Sequence, residues 1–560
     1  MTVGADWVFH SGRIFDGSIV LAQATAVAVR AGRIAAVGSE SEVRQAVGRA
    51  TEVVDLAGRM LSPGFTDAHV HTVMGGVERL ACDLSLLSGA PAALERIAEY
   101  AAGSDAGWIT GGGWYKGDYP GGYPHRSMLD AVVADRPVYL INRDHHSAWI
   151  NSRALELAGI DVSTRDPADG RIERDSDGVP TGTLHEGAMD LVSRLLPPLT
   201  QATLVDGLLA GQQYLHSVGV TGWQEAILGD YAGYPEASAA YRQLAAEGRL
   251  TGRATGALWV PRSTTADTVD ALVSSFVDRR QKNLEAGFLT TSAKIMVDGV
   301  PENYTAAMLD PYLSPCSCDG GHSTSSAERG LTYLPQDVLE AVCAALDAAN
   351  FDLHLHVIGD RAVRNGLDAI AHTLRSNGAR GARHHMAHVQ IVHPADISRF
   401  AELDVTVNAQ ALWACRDEQM RELTIPLIGA ERAQWQYPFA SLIGGGAALA
   451  MGSDWPVSSP DPWQAIHVAV NRAHPRHGRT EPLVPAEALS LETSLRAYTA
   501  GSARLNRLDD GGAILPGALA DVVVLGADPF SLDAADLHTV AVDLTMVGGR
   551  IVHAAPSQGE

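Results

Sequence analysis

Lysine is scarce in this sequence, and positive charge is scarce with it. The 560 residues include 42 lysines and arginines against 65 aspartates and glutamates, which leaves a net charge of −23. An acidic chain repels nucleic-acid phosphates and anionic lipid headgroups, so we expect neither nucleic acid nor a membrane among its partners. Only three of the basic residues are lysines, namely Lys116, Lys282 and Lys294, so each can be examined by its position.

Cysteine and long apolar runs are lacking as well. Five cysteines, an odd number in a long chain, do not make a disulfide framework. No run approaches the roughly 18 apolar residues that a membrane-spanning helix needs, and the first residues lack the basic and then apolar pattern of a secretory signal. These absences predict a cytoplasmic protein in a reducing setting.

The order of strand and helix patterns predicts the domain organisation. Residues 1–59 and 513–560 carry β-branched runs bounded by glycine turns, and we expect them to pair into one small β-sandwich domain. Between them, over residues 60–512, eight apolar strands alternate with helical patterns, which predicts an α/β fold, a (β/α)8 TIM-like barrel. The gap after the first strand predicts an inserted subdomain at about 73–217 that shapes the substrate pocket. The predicted strands are Met60–Asp67, Val218–Glu225, Arg253–Val260, Ser292–Val297, Phe351–Val357, His385–Val389, Asp404–Asn408 and Ala447–Met451.

The first predicted barrel strand ends in a histidine pair. His69 and His71 are two residues apart, so on a strand both side chains point to the same side. Two imidazoles at a barrel mouth are suitable ligands for Zn²⁺ or a similar ion. An isolated pair of this spacing is, however, more often two ordinary histidines on a half-exposed strand.

Lys294 lies inside an apolar strand pattern, where an ammonium is costly to bury unless it is paired or neutralised. One interpretation is a salt bridge, with Asp298 as a partner. The other is an amine that has reacted with CO₂ to give a carbamate, an anionic ligand able to bridge two metals. The residues alone leave both open.

Further candidate ligands follow on later strands. His354 and His356 share one predicted strand. The next predicted strand contains His385 and His388, and His384 directly precedes it. Asp454 follows the last apolar strand, where a barrel places catalytic groups.

The order H-x-H, Lys, His, His, Asp on successive strands resembles the amidohydrolase superfamily, in particular its N-substituted formamide deformylase (YtcJ-like) subgroup. The segments PGFTDAHVH, KIMVDG, HVIGDRAV, AHVQIVHP and GSDWPV support the resemblance, which spans nearly the whole chain. The resemblance implies one or two divalent ions, with zinc the expected metal. It also implies the roles of six residues: His69 and His71 bind one metal, His356 and His388 bind the second, carboxylated Lys294 bridges, and Asp454 is ligand and base.

Some assignments rest on finer matches to the family. His356 is preferred to His354 because it is nearer the strand's carboxyl end and matches the family's H-x-I-G-D, and His388 alone matches H-x-Q. His146 matches a family histidine that can reach the scissile carbonyl, whereas His145 replaces the usual glycine. Glu186 matches a family acid, although a carboxylate on a helix surface is an equal alternative.

Aromatic residues complete the predicted pocket. Trp114 follows three glycines and forms either a pocket wall or an anchor for the insertion. Trp413 and Trp455 follow strands seven and eight and line an apolar pocket or pack in the core. The loop with Cys316 and Cys318 is weak evidence for a metal site and favours a lid or connection.

Together these patterns predict a metal-dependent hydrolase that cleaves a C–N amide bond of a small N-acyl or N-formyl amine, with Asp454 as general base and acid. A cyclic-amide hydrolase or a deaminase on the same barrel is the alternative, and a binding protein that lost the chemistry is a further one. Oligomers are common for such barrels, so we expect a homodimer.

Overall fold

A computed structural model describes residues 4–85, 87–167, 170–231, 233–314, 324–325, 327–475 and 481–556. Cys316 and Cys318 lie outside these residues. Within them, the fold combines an eight-stranded parallel sheet, a six-stranded sheet inserted after its first strand, and two smaller sheets at the chain ends. No helix among the described residues is long and apolar enough to cross a bilayer.

The eight-stranded sheet is a nearly closed barrel whose strands follow one another in chain order, each parallel to the next. Hydrogen bonds from Asp454 N to His69 O (2.7 Å) and from His71 N to Trp455 O (2.8 Å) join the last strand's end to the first. The predicted α/β barrel is confirmed. We number its strands β1 (Phe65–Val70), β2 (Val220–Leu228), β3 (Arg253–Trp259), β4 (Leu289–Met296), β5 (Asp352–Val357), β6 (His385–His388), β7 (Thr406–Ala409) and β8 (Leu449–Met451).

The first predicted strand is wrong in one respect, because Met60–Asp67 merges two strands. Met60–Pro63 pairs with Val522–Leu525 in an end sheet, and the chain then enters β1. Gly64 stands at the junction, where an added Cβ would lie 2.2 Å from Oγ1 of Thr221. The close approach therefore requires glycine, and the chain turns there from one sheet into the other.

Helices pack around the barrel. The helices Thr72–Leu80 and Gln201–Ser217 approach closely, since a Cβ on Gly76 would lie 1.7 Å from the carbonyl oxygen of Gly207. The others in the barrel part of the chain are Ser238–Ala246, Val269–Glu285, Gln336–Ala348, Asp360–Asn377, Ile397–Glu402, Ile425–Ala433, Phe439–Gly444, Pro462–Asn471, Leu491–Arg496 and Ser502–Leu505.

Strands from both chain ends form the two smaller sheets. One holds, in order, Arg33–Gly38, Ala26–Arg30, Trp7–His10 and Glu52–Asp55, and the other holds Arg13–Ile14, Met60–Pro63, Val522–Leu525, Val542–Val547 and Arg550–Ala554. Their inner faces share one apolar core that includes Phe9, Val27, Leu61, Val524 and Met546.

The insertion contains its own sheet and apolar core. Its strands are, in sheet order, Gly170–Arg174, Pro180–Glu186, Ser147–Ile150, Val138–Asn142, Ile109–Trp114 and Cys82–Asp83, and its helices are Ala90–Ala102, Arg126–Asp130, Ser152–Ala158 and Asp190–Ser193. Trp114 lies in this core rather than in a pocket wall: it packs on Tyr119 and Trp149, and its Nε1 donates to Leu140 O at 2.9 Å. The tryptophan therefore packs in the core of the insertion and is not among the residues that line the cavity.

Candidate metal centre and active-site cavity

The barrel strands open at their carboxyl ends into a cavity of about 660 Å³. Residues that follow insertion strands, among them Tyr115 and His146, line it together with barrel residues. All six residues expected as metal ligands border this cavity: His69, His71, Lys294, His356, His388 and Asp454. Residues up to 385 positions apart in the chain are thus brought to one site.

Asp454 is the point on which two histidines converge. Its Oδ1 lies 3.1 Å from Nε2 of His69 and 3.1 Å from Nε2 of His71. Ligand atoms of His69, His388 and Asp454 all lie within 4.8 Å of one another. Such a separation allows one ion to touch all three.

The buried donors match the chemistry of a divalent ion. Nδ1 of His388 is buried without a hydrogen-bond partner among the described residues, and Nδ1 of His356 lies 3.4 Å from Oδ1 of Asp298. Burial holds the pKa of each imidazole well below its ordinary value, so these histidines are neutral, as metal ligands must be. Burial alone would raise the pKa of Asp454, but the neighbouring imidazoles outweigh it and keep that pKa well below its usual range. Neutral imidazoles beside an ionised carboxylate fit Zn²⁺ or a similar ion.

Lys294 lies against the histidines and not against Asp298. Its Nζ is 3.3 Å from Nε2 of His69. Asp298 instead accepts backbone N–H bonds from Ala307 (2.8 Å), Ile358 (3.0 Å) and Gly359 (2.8 Å). Burial lowers the pKa of Lys294 to about 7. A lysine amine with that pKa is partly neutral at physiological pH.

His354 and His356 occupy different levels of the barrel. Nε2 of His354 lies 2.9 Å from Nδ1 of His69, and its Nδ1 lies 2.6 Å from Oε1 of Gln224. His354 is completely buried and holds the ring of His69 in orientation, whereas His356 borders the cavity.

Strained backbone carries two of the candidate ligands. His388 has φ +74° and Asp454 has φ +56°, conformations that cost a non-glycine residue about 1–3 kcal/mol and tend to cluster at functional sites. Gln410 supports His388, because its Oε1 accepts the His388 backbone N–H at 2.7 Å. Asp67 ties the two ends of the barrel together, since its Oδ1 accepts the N–H groups of His69 (3.1 Å) and Ser453 (2.9 Å).

Tryptophans border the centre on two sides. Trp413 stacks on the imidazole of His388 with ring centroids 4.9 Å apart and planes 4° from parallel. Trp455 lines the cavity next to Asp454 and packs edge-on against Tyr214 at 5.4 Å. Both residues are therefore placed to contact a substrate.

Two consecutive histidines face the cavity, and each has its own carboxylate. Nε2 of His145 lies 2.7 Å from Oε1 of Glu78, and Nδ1 of His146 lies 2.8 Å from Oε1 of Glu186. Burial lowers the pKa of both imidazoles, but the paired carboxylates outweigh it and raise both values above the ordinary one. Glu186 itself is not among the residues that line the cavity, and it accepts from Nδ1 of His146.

The sequence model of the amidohydrolase family matches residues 52–553 of this chain. The chain belongs to the amidohydrolase family. It is 28% identical over 551 residues to the putative amidohydrolase YtcJ of Bacillus subtilis (strain 168). That match covers 98% of this chain and 99% of YtcJ. The chain is 27% identical over 552 residues to the N-substituted formamide deformylase of Arthrobacter pascens, with 94% of each chain covered.

Among solved structures, an uncharacterized metal-dependent hydrolase from Pyrococcus furiosus matches the amidohydrolase with a TM-score of 0.68 and 25% identity, over 94% of this chain and 100% of that one. The expected resemblance and the expectation of a hydrolase are confirmed.

Sequence reasoning missed several residues that build the amidohydrolase site. Asp67 and Glu78 were not singled out, although Asp67 stands two residues before His69. Glu78 is 67 residues from His145, and nothing local in the sequence indicates their contact. Tyr115 rather than its neighbour Trp114 reaches the cavity, where its hydroxyl donates to Asp417 at 2.8 Å.

Proposed function

We propose that this amidohydrolase cleaves the C–N bond of a small N-acyl or N-formyl amine. The observation that carries the proposal is the convergence of six candidate ligands with His146 on one cavity. The similarity to an N-substituted formamide deformylase over 94% of the chain supports the same bond type. A homodimer and a cytoplasmic setting stay predictions from the sequence.

The donor set would hold one or two divalent ions, with zinc expected. His69 and His71 would hold one ion and His356 and His388 the other, with Lys294 between them and Asp454 as a further ligand. Such an ion, when bound, acidifies water and polarises a carbonyl group.

Lys294 is proposed to act as a carbamate. Its neutral amine attacks CO₂, a C–N bond forms, and one proton is released, which leaves an anionic group with two ligand oxygens. The burial that lowers the pKa of Lys294 to about 7 supports this, because only the neutral amine reacts.

Asp454 is proposed as the proton carrier. Its carboxylate accepts a proton from the attacking water and returns it to the departing nitrogen, because an amine leaves poorly as an anion. The low pKa of Asp454 supports this role, since the side chain enters the reaction ionised.

His146 is proposed to donate to the substrate carbonyl oxygen. Glu186 occupies Nδ1, which leaves Nε2 as the ring nitrogen for substrate. The paired Glu186 raises the pKa of His146, which favours the doubly protonated ring in which Nε2 carries a proton. A donor aimed at the oxygen on which charge develops stabilises the transition state.

A substrate panel tests the proposal. Protein reconstituted with zinc and bicarbonate is incubated with N-formyl, N-acetyl and cyclic amides and with aminopurines, and products are identified by mass spectrometry. The expected result is a carboxylic acid together with an amine. Ammonia would indicate a deaminase, a single ring-opened product would indicate a cyclic-amide hydrolase, and failure to bind metal would revive the binding-protein alternative.

A further inference from the structure

Lys116 is a second buried lysine, and it lies outside the candidate metal centre. Its side chain is 1% exposed. Nζ lies 2.9 Å from Oδ2 of Asp144 and donates to Oδ1 of Asn303 at 3.1 Å. Burying an ammonium is costly, and a buried ion pair is weak evidence for stability alone, so the position calls for another reason.

Two routes lead from Lys116 to His146. In the first, Nδ2 of Asn303 donates to Oε1 of Glu186 at 3.3 Å, and the same oxygen accepts from Nδ1 of His146 at 2.8 Å. In the second, Oδ1 of Asp144 accepts the backbone N–H of His146 at 2.9 Å. The lysine is thus connected to both the ring and the backbone of His146.

The contacts of Asn303 fix the orientation of its amide from both sides. An ammonium only donates hydrogen bonds, so the amide must present its oxygen to Lys116 and its nitrogen to Glu186. The nitrogen additionally reaches the carbonyl oxygen of His146 at 3.4 Å. Without the ammonium, Oδ1 of Asn303 would lose its donor and the amide would be held through its nitrogen alone, which would weaken the hold on Glu186 and His146.

Charged side chains surround the group, with Glu302 a further carboxylate near Lys116 and Arg262 a further cation near Glu186. Lys116 and protonated His146 face the carboxylates of Asp144 and Glu186, and His356 is the titratable neighbour on the metal side. The segments involved come from the insertion and from the loop after β4. Lys116 therefore joins the insertion to the barrel at the residue proposed to contact the substrate carbonyl.

We infer that Lys116 is a positioning residue that acts through Asn303 and Asp144 to hold the His146–Glu186 pair, with Nε2 of His146 directed at the substrate. This inference rests on the proposed function, because it requires that His146 contributes to the reaction.

A double-mutant cycle tests whether Lys116 acts through His146. Lys116→Met and His146→Gln are made singly and together in the zinc-loaded protein, and kcat, KM and metal content are measured with the N-acyl or N-formyl amine turned over best. We expect His146→Gln to lower kcat/KM about 100-fold and Lys116→Met about tenfold, mainly in kcat, with metal content retained. In the His146→Gln background, Lys116→Met should have no further effect.

Control variants separate positioning from folding. Lys282→Met removes an exposed lysine and should leave all values unchanged. If Lys116→Met does not fold, Asn303→Leu breaks the same connection and takes its place in the cycle. An equal loss from Lys116→Met in both backgrounds, or a loss of metal, would overturn the inference. Full activity of His146→Gln alone would instead contradict the proposed role of His146.

A second readout does not depend on a substrate. The titration of His146 is followed by NMR in protein with ¹³C-labelled histidine, and its signal is assigned by its absence in His146→Gln. Loss of the Lys116 cation alone would raise the pKa of His146, whereas a loosened contact with Glu186 would lower it, so positioning predicts a lower pKa in Lys116→Met. An unchanged or raised pKa would count against positioning through the His146–Glu186 pair.

Discussion

Nζ of Lys294 lies 3.3 Å from Nε2 of His69, although 225 residues separate them in the chain. The contact joins β1 to β4 across the barrel and brings an amine to the nitrogen expected to bind metal. The carboxylate of Asp298 does not pair with that amine, because its oxygens accept backbone N–H groups instead. Lys294 thus belongs to the candidate metal centre by position.

Lys294→Ala is expected to lose metal. The substitution removes the proposed anionic group between the two histidine pairs and leaves Asp454 as the one carboxylate among the six candidate ligands, so the remaining site should bind a divalent ion more weakly. Metal content after reconstitution with zinc and bicarbonate measures the effect. Lys282→Ala, on the exposed face of Val269–Glu285, is the control and should keep full metal content. Equal metal in the two variants would exclude a ligand role for Lys294.

Asp454→Asn is expected to lose activity by about 10²- to 10⁴-fold, the usual contribution of a general acid–base group. The amide keeps the shape of the side chain but cannot accept and return the proton. Activity and metal content are measured together at saturating zinc. Intact activity with retained metal would refute the proposed role of Asp454.

Periodicity predicted the barrel, and the resemblance of the residue order to the amidohydrolase superfamily implied that His69, Lys294 and Asp454 share one site. Contacts between residues far apart in the chain could not be predicted in this way. Glu78 meets His145 across 67 residues, and Lys116 meets Asn303 across 187. Such pairs depend on how the insertion packs on the barrel, for which local patterns carry no signal.

His354→Leu is expected to weaken zinc binding by about 10- to 100-fold, as is typical when a partner that orients a ligand is removed. The substitution frees Nδ1 of His69 and leaves Oε1 of Gln224 without its partner in a fully buried site. Chelator competition measures the affinity. His372→Leu, on the outer helix Asp360–Asn377, is the matched control. Unchanged affinity in a folded His354→Leu protein would show that the contact with His354 is not needed to orient His69 for metal binding.

Glu225 is expected to make stability depend on pH. Its Oε2 accepts from the Tyr241 hydroxyl at 2.6 Å and from the Thr72 N–H at 3.0 Å, at the start of the helix that follows His71. Burial raises the pKa of Glu225 from 4.5 to about 8. Between these values the folded protein keeps a proton that the unfolded chain releases, so the free energy of unfolding falls as pH rises, by at most about 1.4 kcal/mol per pH unit.

Glu225→Gln removes this titration while it keeps the shape of the side chain. The difference in Tm between the variant and the parent should therefore grow in favour of the variant as pH rises from 5 to about 8, the value near which Glu225 ionises. Exposed Glu402 provides the control, because Glu402→Gln should give a constant difference over the same range. Parallel curves for Glu225→Gln and the parent would mean that Glu225 titrates alike in the folded and unfolded states, which its burial beneath the His71 segment argues against.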